Sequence, residues 1–261
     1  MISFENIIYK EEVILMDKSK YAVVDYRMDI ECRENIESLG IKLIDSYKNK
    51  NVYKAIEGHV DINIFKIGEN LFCSPESYEY YRDIFVREGI IEHINLIKAK
   101  TRLDKKYPKD IAYNICFTER YAIGRFADID PLILEFLKKL SADDKGSKLE
   151  LIDIKQGYAN CSICQIDENS VISADKGVCK ELKKKNIDVL EISQAHIDLF
   201  DFDYGFIGGA SALIDDKVCF FGDIKSHPDF LIIKEFIEKK GKKIVSLSNK
   251  KLTDYGSLVI I

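Results

Sequence analysis

The sequence predicts an α/β fold: a five-bladed α/β propeller of ββαβ units, forming a single domain with pseudo-fivefold symmetry. Three observations carry that prediction. First, a short amphipathic helix that stops at Gly or Asn and gives way to an apolar strand recurs five times. The endings read Leu39-Gly40-Ile41-Lys42-Leu43-Ile44, Glu88-Gly89-Ile90 running to Ile94-Asn95-Leu96-Ile97, Gly146-Ser147-Lys148-Leu149-Glu150-Leu151-Ile152, Asn186-Ile187-Asp188-Val189-Leu190 and Gly241-Lys242-Lys243-Ile244-Val245. Second, an apolar hairpin precedes the helix in the later copies. Third, one strand, Ser257 to Ile261, is left over at the C-terminus and is available to close a ring. Self-similarity at this period is the mark of one supersecondary unit used as an array. The units fall at about 1–58, 59–108, 109–156, 157–204 and 205–261.

The first copy reads as a strand over Tyr21 to Asp25, a helix over Asp29 to Leu39 and a strand over Lys42 to Ile44. In the second, Asp61 to Ile67 alternates apolar and polar residues as a half-buried strand does, with Leu71-Phe72-Cys73 returning after a turn at Glu69-Asn70. Ser74 is a good N-cap with Pro75 at the first helical position, and Tyr78, Tyr81 and Phe85 form a helical stripe. Gly89 ends that helix in a left-handed conformation, and His93 to Ile97 completes the unit. The third copy pairs Ile111 to Thr118 with Tyr121 to Phe126, opens its helix at Asp130-Pro131 and closes with Leu149 to Ile154. The fourth runs from Cys161 to Ile166, returns through Val171 to Ala174 and caps its helix with Asp175. The fifth has Ala210 to Ile214, Val218 to Phe221 and a helix begun near Ser226-His227-Pro228. Val13 to Met16 competes with Ser257 to Ile261 as the strand that closes the first unit. The charged patches at 98–109 and 141–148 fall between repeat elements and read as surface loops.

Across 261 residues, 46% apolar content supports a substantial core, and a net charge of −5 without a basic stripe argues against a nucleic-acid partner. Lys183-Lys184-Lys185 is read as the solvated end of a helix. The absence of an 18-residue apolar stretch, and an N-terminus without a signal-peptide pattern, predict a protein that neither enters a membrane nor is exported. Seven cysteines, an odd number in apolar contexts, read as reduced core thiols, and a cytoplasmic location is expected. Cys161 and Cys164 form a single Cys-x-x-Cys; on a strand they face opposite sides, so neither a metal nor a cofactor is expected.

Five such units resemble the pentein fold of guanidino-group-modifying enzymes, a set that includes arginine deiminase, amidinotransferases and dimethylarginine dimethylaminohydrolase. Gly205-Phe206-Ile207-Gly208-Gly209-Ala210-Ser211, and the stretch from Asn160 to Asp229, are similar to an uncharacterised bacterial group of that fold lacking the usual catalytic Cys and His. The resemblance implies a cysteine nucleophile on the last strand, a histidine proton carrier and carboxylates that hold the guanidinium. Where the cysteine is implied the chain has Tyr255-Gly256-Ser257, and where the histidine is implied it has Ala159-Asn160. One implied carboxylate falls on Asp61 and another on Asn114. A glycine and an asparagine do not replace a thiolate and an imidazole, so the usual mechanism is expected to be absent.

His59-Val60-Asp61 is the best local constellation, because alternate residues of a strand share one face; the plain alternative is a loop histidine before a strand. Gly208-Gly209 opens an inner strand, where a ligand or another backbone can approach, or where a turn simply requires glycine. No helix follows directly, so it is not a dinucleotide loop. Ser211 and Ser257 hold matching positions outside any nucleophile-elbow pattern. His227 reads as a capping or surface residue; Asp198, Asp201 and Asp203, after His196-Ile197, could hold a cation, but the interleaved Leu199, Phe200 and Phe202 read as a connecting segment.

Two functional readings follow. In the first, a central channel lined by His59, Asp61, Asn114, Asn160, Gly208, Gly209, Ser211, Asp254 and Ser257 binds a small cationic ligand with a guanidino or amino group. Any reaction there is hydrolysis at a carbon–nitrogen bond without the usual cysteine, an expectation drawn from the fold. In the second, the chain is a non-enzymatic protein-interaction module, like the eukaryotic ribosome anti-association factor that resembles this fold. It then has a channel filled by its own side chains and an exposed apolar patch.

Overall fold

In the computed structural model, residues 20–142 and 149–261 are described. Within them one pattern of pairing occurs five times. The first sheet is built from β1 (Lys20–Val24), the helix α1 (Ile30–Glu37) and β2 (Ile41–Asp45). The second follows the helical turn α2 (Val60–Asn63) and contains β3 (Ile64–Ile67), β4 (Asn70–Cys73), α3 (Tyr78–Arg87) and β5 (Asn95–Lys98). The third has β6 (Cys116–Phe117), β7 (Tyr121–Gly124), α4 (Pro131–Ser141) and β8 (Glu150–Asp153). The fourth follows the helical turn α5 (Ala159–Ser162) with β9 (Cys164–Asp167), β10 (Ser170–Ser173), α6 (Lys176–Lys183) and β11 (Asp188–Glu191). The fifth has β12 (Ser211–Ile214), β13 (Lys217–Phe220), α7 (Phe230–Lys239) and β14 (Lys243–Ser246). The last strand, β15 (Leu258–Ile260), pairs antiparallel with β1 and gives the first sheet the order β15-β1-β2. C-terminal chain therefore completes the N-terminal sheet, and Val13 to Met16 lies outside the described residues.

Each sheet has three strands. The middle strand is antiparallel to the hairpin strand before it and parallel to the strand that follows its helix. A parallel partner needs a crossover, and α1, α3, α4, α6 and α7 supply it. Middle strands such as Tyr121-Ala122-Ile123-Gly124 are buried throughout, which explains their unbroken apolar runs. The outermost strands are only half covered. Helices stop where the chain turns left-handed, at Gly40, Gly89, Asn186 and Gly241, with φ of +80°, +70°, +59° and +70°. Gly146 lies outside the described residues.

The core is divided among five clusters, each shared by two neighbouring repeats. Val23 and Ile44 pack with Leu71 and Tyr81, Phe72 with Tyr113, Tyr121 with Leu182, and Ile172 with Phe220. The fifth cluster joins Ile36 of the first repeat to Cys219 and Phe221 of the last. No repeat buries its apolar face alone.

Several boundaries differ from the sequence reading. Asp61 and Cys161 belong to helical turns rather than strands, because the chain winds once before entering β3 and β9. The third hairpin is shorter than Ile111 to Thr118, since Ile111 to Asn114 turns back on itself through the Asn114 N–H bond to the Ile111 carbonyl. Helix α3 starts at Tyr78, after Ser77, and Ser74 instead shares a 2.8 Å hydroxyl contact with Ser77. The fifth helix begins after Asp229, and His93 closes a short turn before β5. Among the described residues no helix is long and apolar enough to cross a membrane. All seven cysteines are buried free thiols.

Candidate functional site

The turns that precede the inner strands deliver the polar residues. His59 sits just before α2 and Asp61 inside it; Asn63 anchors this turn by accepting a 2.8 Å bond from Asn49. In the fourth repeat Tyr158 and Cys161 hold related places around α5, and Asn160 lies between them. Asn114 comes from the third repeat, and Asp254 from the segment leading to β15. His59, Asp61, Asn114, Cys161 and Asp254 meet in one buried layer, with the half-buried Asn160 at its edge.

Asp61 and Cys161 are the centre of that layer. The Cys161 thiol donates to Asp61 Oδ2 at 2.9 Å, and Asn160 Nδ2 donates to the same oxygen at 3.0 Å. Asn114 Nδ2 donates to Cys161 Sγ at 3.2 Å, while Asn114 Oδ1 accepts the Asn160 N–H at 2.7 Å. Asp61 Oδ1 and both ring nitrogens of His59 have no hydrogen-bond partner among the described residues. His59 Nδ1 lies 3.8 Å from Asp254 Oδ1, and Asp254 accepts the N–H groups of Phe206 and Gly256, each at 2.9 Å.

Burial dominates the electrostatics. Loss of water pushes Asp61 up to about 6, opposed by its bonds from Cys161 and Asn160. It also raises the Cys161 thiol well above its ordinary range, an effect strengthened by the charges of Asp61 and Asp254. Asp254 is raised by burial, against the pull of His59. His59 is lowered by burial despite Asp254, so the 3.8 Å pair holds a neutral imidazole and is not an ion pair. Cys161 is a protonated thiol in this setting, not a ready nucleophile.

The layer separates two cavities. One, of about 320 Å³, is bordered by residues of all five sheets, with Asp61, Asn160, Gly208, Ser211 and Ser257 among them. The other, of about 250 Å³, has His59, Cys161 and Asp254 at its base and Tyr158, Phe202, Tyr204 and Phe206 in its walls. The nine residues expected to line a single channel are thus divided. Asn114 borders neither cavity and acts within the layer. Gly209 gives its space to the Asp254 carboxylate, and Gly208 lies against the carbonyls of Cys161 and Ile163. Ser211 and Ser257 donate to the carbonyls of Ile207 and Ser211, each at 2.8 Å, so neither hydroxyl is held as a nucleophile.

Cys161 corrects the sequence reading. It is not a core thiol like Cys164, which packs in the apolar cluster of the fourth and fifth repeats. The repeat itself gave no signal, since aligning Ala159–Ser162 on Val60–Asn63 sets Cys161 on the apolar core residue Ile62. The aromatic wall was also missed, because Phe202, Tyr204 and Phe206 lie in the connecting segment before β12. His227 is buried rather than superficial, and its Nδ1 accepts the Asp229 N–H at 3.1 Å.

Known structures share the fold. The chain is similar to a dimethylarginine dimethylaminohydrolase from Pseudomonas aeruginosa complexed with citrulline, at 11% identity and a TM-score of 0.53, covering 88% of this chain and 92% of that one. An amidinotransferase of the saxitoxin biosynthetic pathway from Microseira wollei matches at 12% identity and 0.52, covering 88% of each chain. The N-terminal domain of a cyanobacterial arginine dihydrolase, bound to product, matches at 10% and 0.52, covering 87% of this chain and 90% of that one. At such identities the likeness establishes the fold alone, and that fold is the pentein fold. A search of curated proteins gives no match. The model of a family of unknown function, DUF6873, matches residues 23–259, and the chain belongs to that family.

Proposed function

We propose that this protein binds a small organic cation, bearing a guanidino or amino group, in the cavity above His59, Cys161 and Asp254. The observation that carries this reading is the lining. Aromatic rings of Tyr53, Tyr158, Phe202, Tyr204 and Phe206 face Asp203 and Asp254, with no lysine or arginine among the described lining residues. Ring faces attract cations, and a desolvated carboxylate supplies the counter-charge. A volume of about 250 Å³ suits a ligand smaller than the drug-sized ones that fill sites of roughly 300–1,000 Å³. The structural neighbours are named for dimethylarginine, amidino transfer and arginine, which agrees with a guanidino group.

The same reading takes the chain as one domain, a five-bladed α/β propeller with pseudo-fivefold symmetry and units at 1–58, 59–108, 109–156, 157–204 and 205–261. Its support is the circuit of five core clusters, the last of which joins the first repeat to the fifth. Free thiols throughout agree with a reducing, cytoplasmic setting. Binding is the primary activity in this proposal. Carbon–nitrogen hydrolysis with Cys161 as the nucleophile would need its thiolate, which burial and then the charges of Asp61 and Asp254 oppose.

A second reading rests on the rim, where Phe202 is 54% and Tyr53 42% exposed. Such rings also serve a protein-interaction module. Calorimetric titration with agmatine, arginine, methylated arginines and polyamines separates the two. The cation reading expects saturable binding by at least one compound, weakened about tenfold or more in Asp254→Asn and in Tyr158→Leu. Absence of binding across the panel, or affinity unchanged in both variants, transfers the assignment to the interaction module.

A further inference from the structure

His59, Asp61 and Cys161 offer one nitrogen, one oxygen and one sulfur donor that all lie within 4.8 Å of one another. We infer that these three residues form a binding site for a single transition-metal dication of borderline softness, with Zn²⁺ the best fit. This goes beyond the binding of an organic cation, and it reverses the expectation of no metal drawn from the Cys-x-x-Cys spacing. Cys164 takes no part; the partners of Cys161 come from the second repeat instead.

Four features support the site. The first is unmet bonding capacity: Asp61 Oδ1 and both nitrogens of His59 are buried without a hydrogen-bond partner among the described residues. Buried polar groups left unpaired are destabilising, and a metal ion satisfies a carboxylate oxygen and an imidazole nitrogen together. The second is the donor set, since thiolate, imidazole and carboxylate are the ligands of zinc. The third is the surrounding support. Asn114 and Asn160 hold Cys161 and Asp61 in place, and the His59 ring can give one nitrogen to the ion while turning the other to Asp254. The fourth is access: His59 and Cys161 border the aromatic cavity, so a fourth position is open from that side. Three protein ligands and one open position is the pattern of zinc sites that exchange a ligand.

Gly256 makes the approach possible. A side chain there would press on the His59 ring and on Asp61 Oδ1, 2.8 Å from the added carbon. The charges also balance. Loading exchanges the Cys161 proton for the ion and releases that proton to solvent, leaving a dication matched by one thiolate and one carboxylate. Asp254 is not among the three ligands, so its carboxylate remains beside the aromatic cavity for an organic cation above the metal.

The test is titration of the chelator-stripped, full-length protein with Co²⁺ alone, in the absence of any organic ligand. The expected result is one ion per chain, visible d–d bands of a tetrahedral centre and a near-ultraviolet sulfur-to-cobalt charge-transfer band. Cys161→Ser should abolish the charge-transfer band, and Cys164→Ser should keep it. His59→Gln and Asp61→Asn should each weaken binding by about 10–100-fold, with folding checked by circular dichroism. Competing Zn²⁺ should displace the cobalt and raise the melting temperature of the unmodified protein. The inference is overturned if the folded protein binds no stoichiometric cobalt, if the spectrum lacks the sulfur band, or if that band survives in Cys161→Ser.

Discussion

The carboxylate of Asp254 occupies the space that a side chain at Gly209 would need; an added Cβ would run into its Oδ1 and lie 2.8 Å from its Oδ2. Asp254 is fixed there by the N–H groups of Phe206 and Gly256. Gly209 itself donates to the Cys161 carbonyl at 2.8 Å, which ties the fifth repeat to the fourth. One glycine therefore holds the acid at the base of the aromatic cavity and the turn that carries the thiol.

Gly209→Ala should cost about 3–5 kcal/mol, from overpacking plus the bonds lost when Asp254 is displaced. Gly40→Ala provides the comparison. That glycine has φ of +80° and open space around it, so its cost is the left-handed strain alone, about 1–2 kcal/mol. Urea unfolding of both variants checks the difference, and an equal or smaller loss at Gly209 contradicts the packing described.

How much of this was legible in the sequence depends on the range of the forces involved. The middle strands were readable because burial on both faces writes an unbroken apolar run, as in Tyr121 to Gly124. Helix ends were readable because Gly89 and Gly241 mark a left-handed backbone locally. The turns α2 and α5 were not, since four residues are too few to show a helical period. Their geometry comes from distant partners, such as the bond between Asn49 and Asn63. Asp61 was recognised as a carboxylate near an axis. Cys161 was not recognised, because the groups that give it meaning, Asp61 and Asn114, belong to the second and third repeats.

Asp130 is a cap with a second duty. Its Oδ1 accepts the Leu132 N–H at the start of α4, and its Oδ2 accepts the N–H groups of Lys100 and Thr101 at 2.9 and 2.6 Å. Asp130→Ala should therefore cost about 2–4 kcal/mol, more than the roughly 1 kcal/mol of an ordinary cap. Asp130→Ser should recover about 1 kcal/mol by restoring the cap without reaching the loop. Chemical denaturation of the pair is the check; a loss in the alanine variant no larger than an ordinary cap would remove the loop from the account.

His227 should make the protein sensitive to mild acid. Burial lowers its pKa from the ordinary 6.5, with Asp229 opposing and His196 adding to the shift. Its Nδ1 must stay unprotonated to accept the Asp229 N–H at the head of α7. Because the folded value lies below the unfolded one, the unfolded chain takes up the proton first as pH falls. Stability is complete above about pH 6.5 and declines below it until the folded value is passed, by up to about 1.4 kcal/mol per pH unit for one proton. His59 is shifted in the same direction by burial and contributes a parallel loss. His227→Gln keeps an acceptor for the Asp229 N–H but does not titrate. Melting temperatures measured between about pH 7.5 and 5 should fall less steeply in this variant than in the unmodified protein, with the His59 share remaining. Superimposable profiles would mean that His227 is not protonated differently in the folded and unfolded chains.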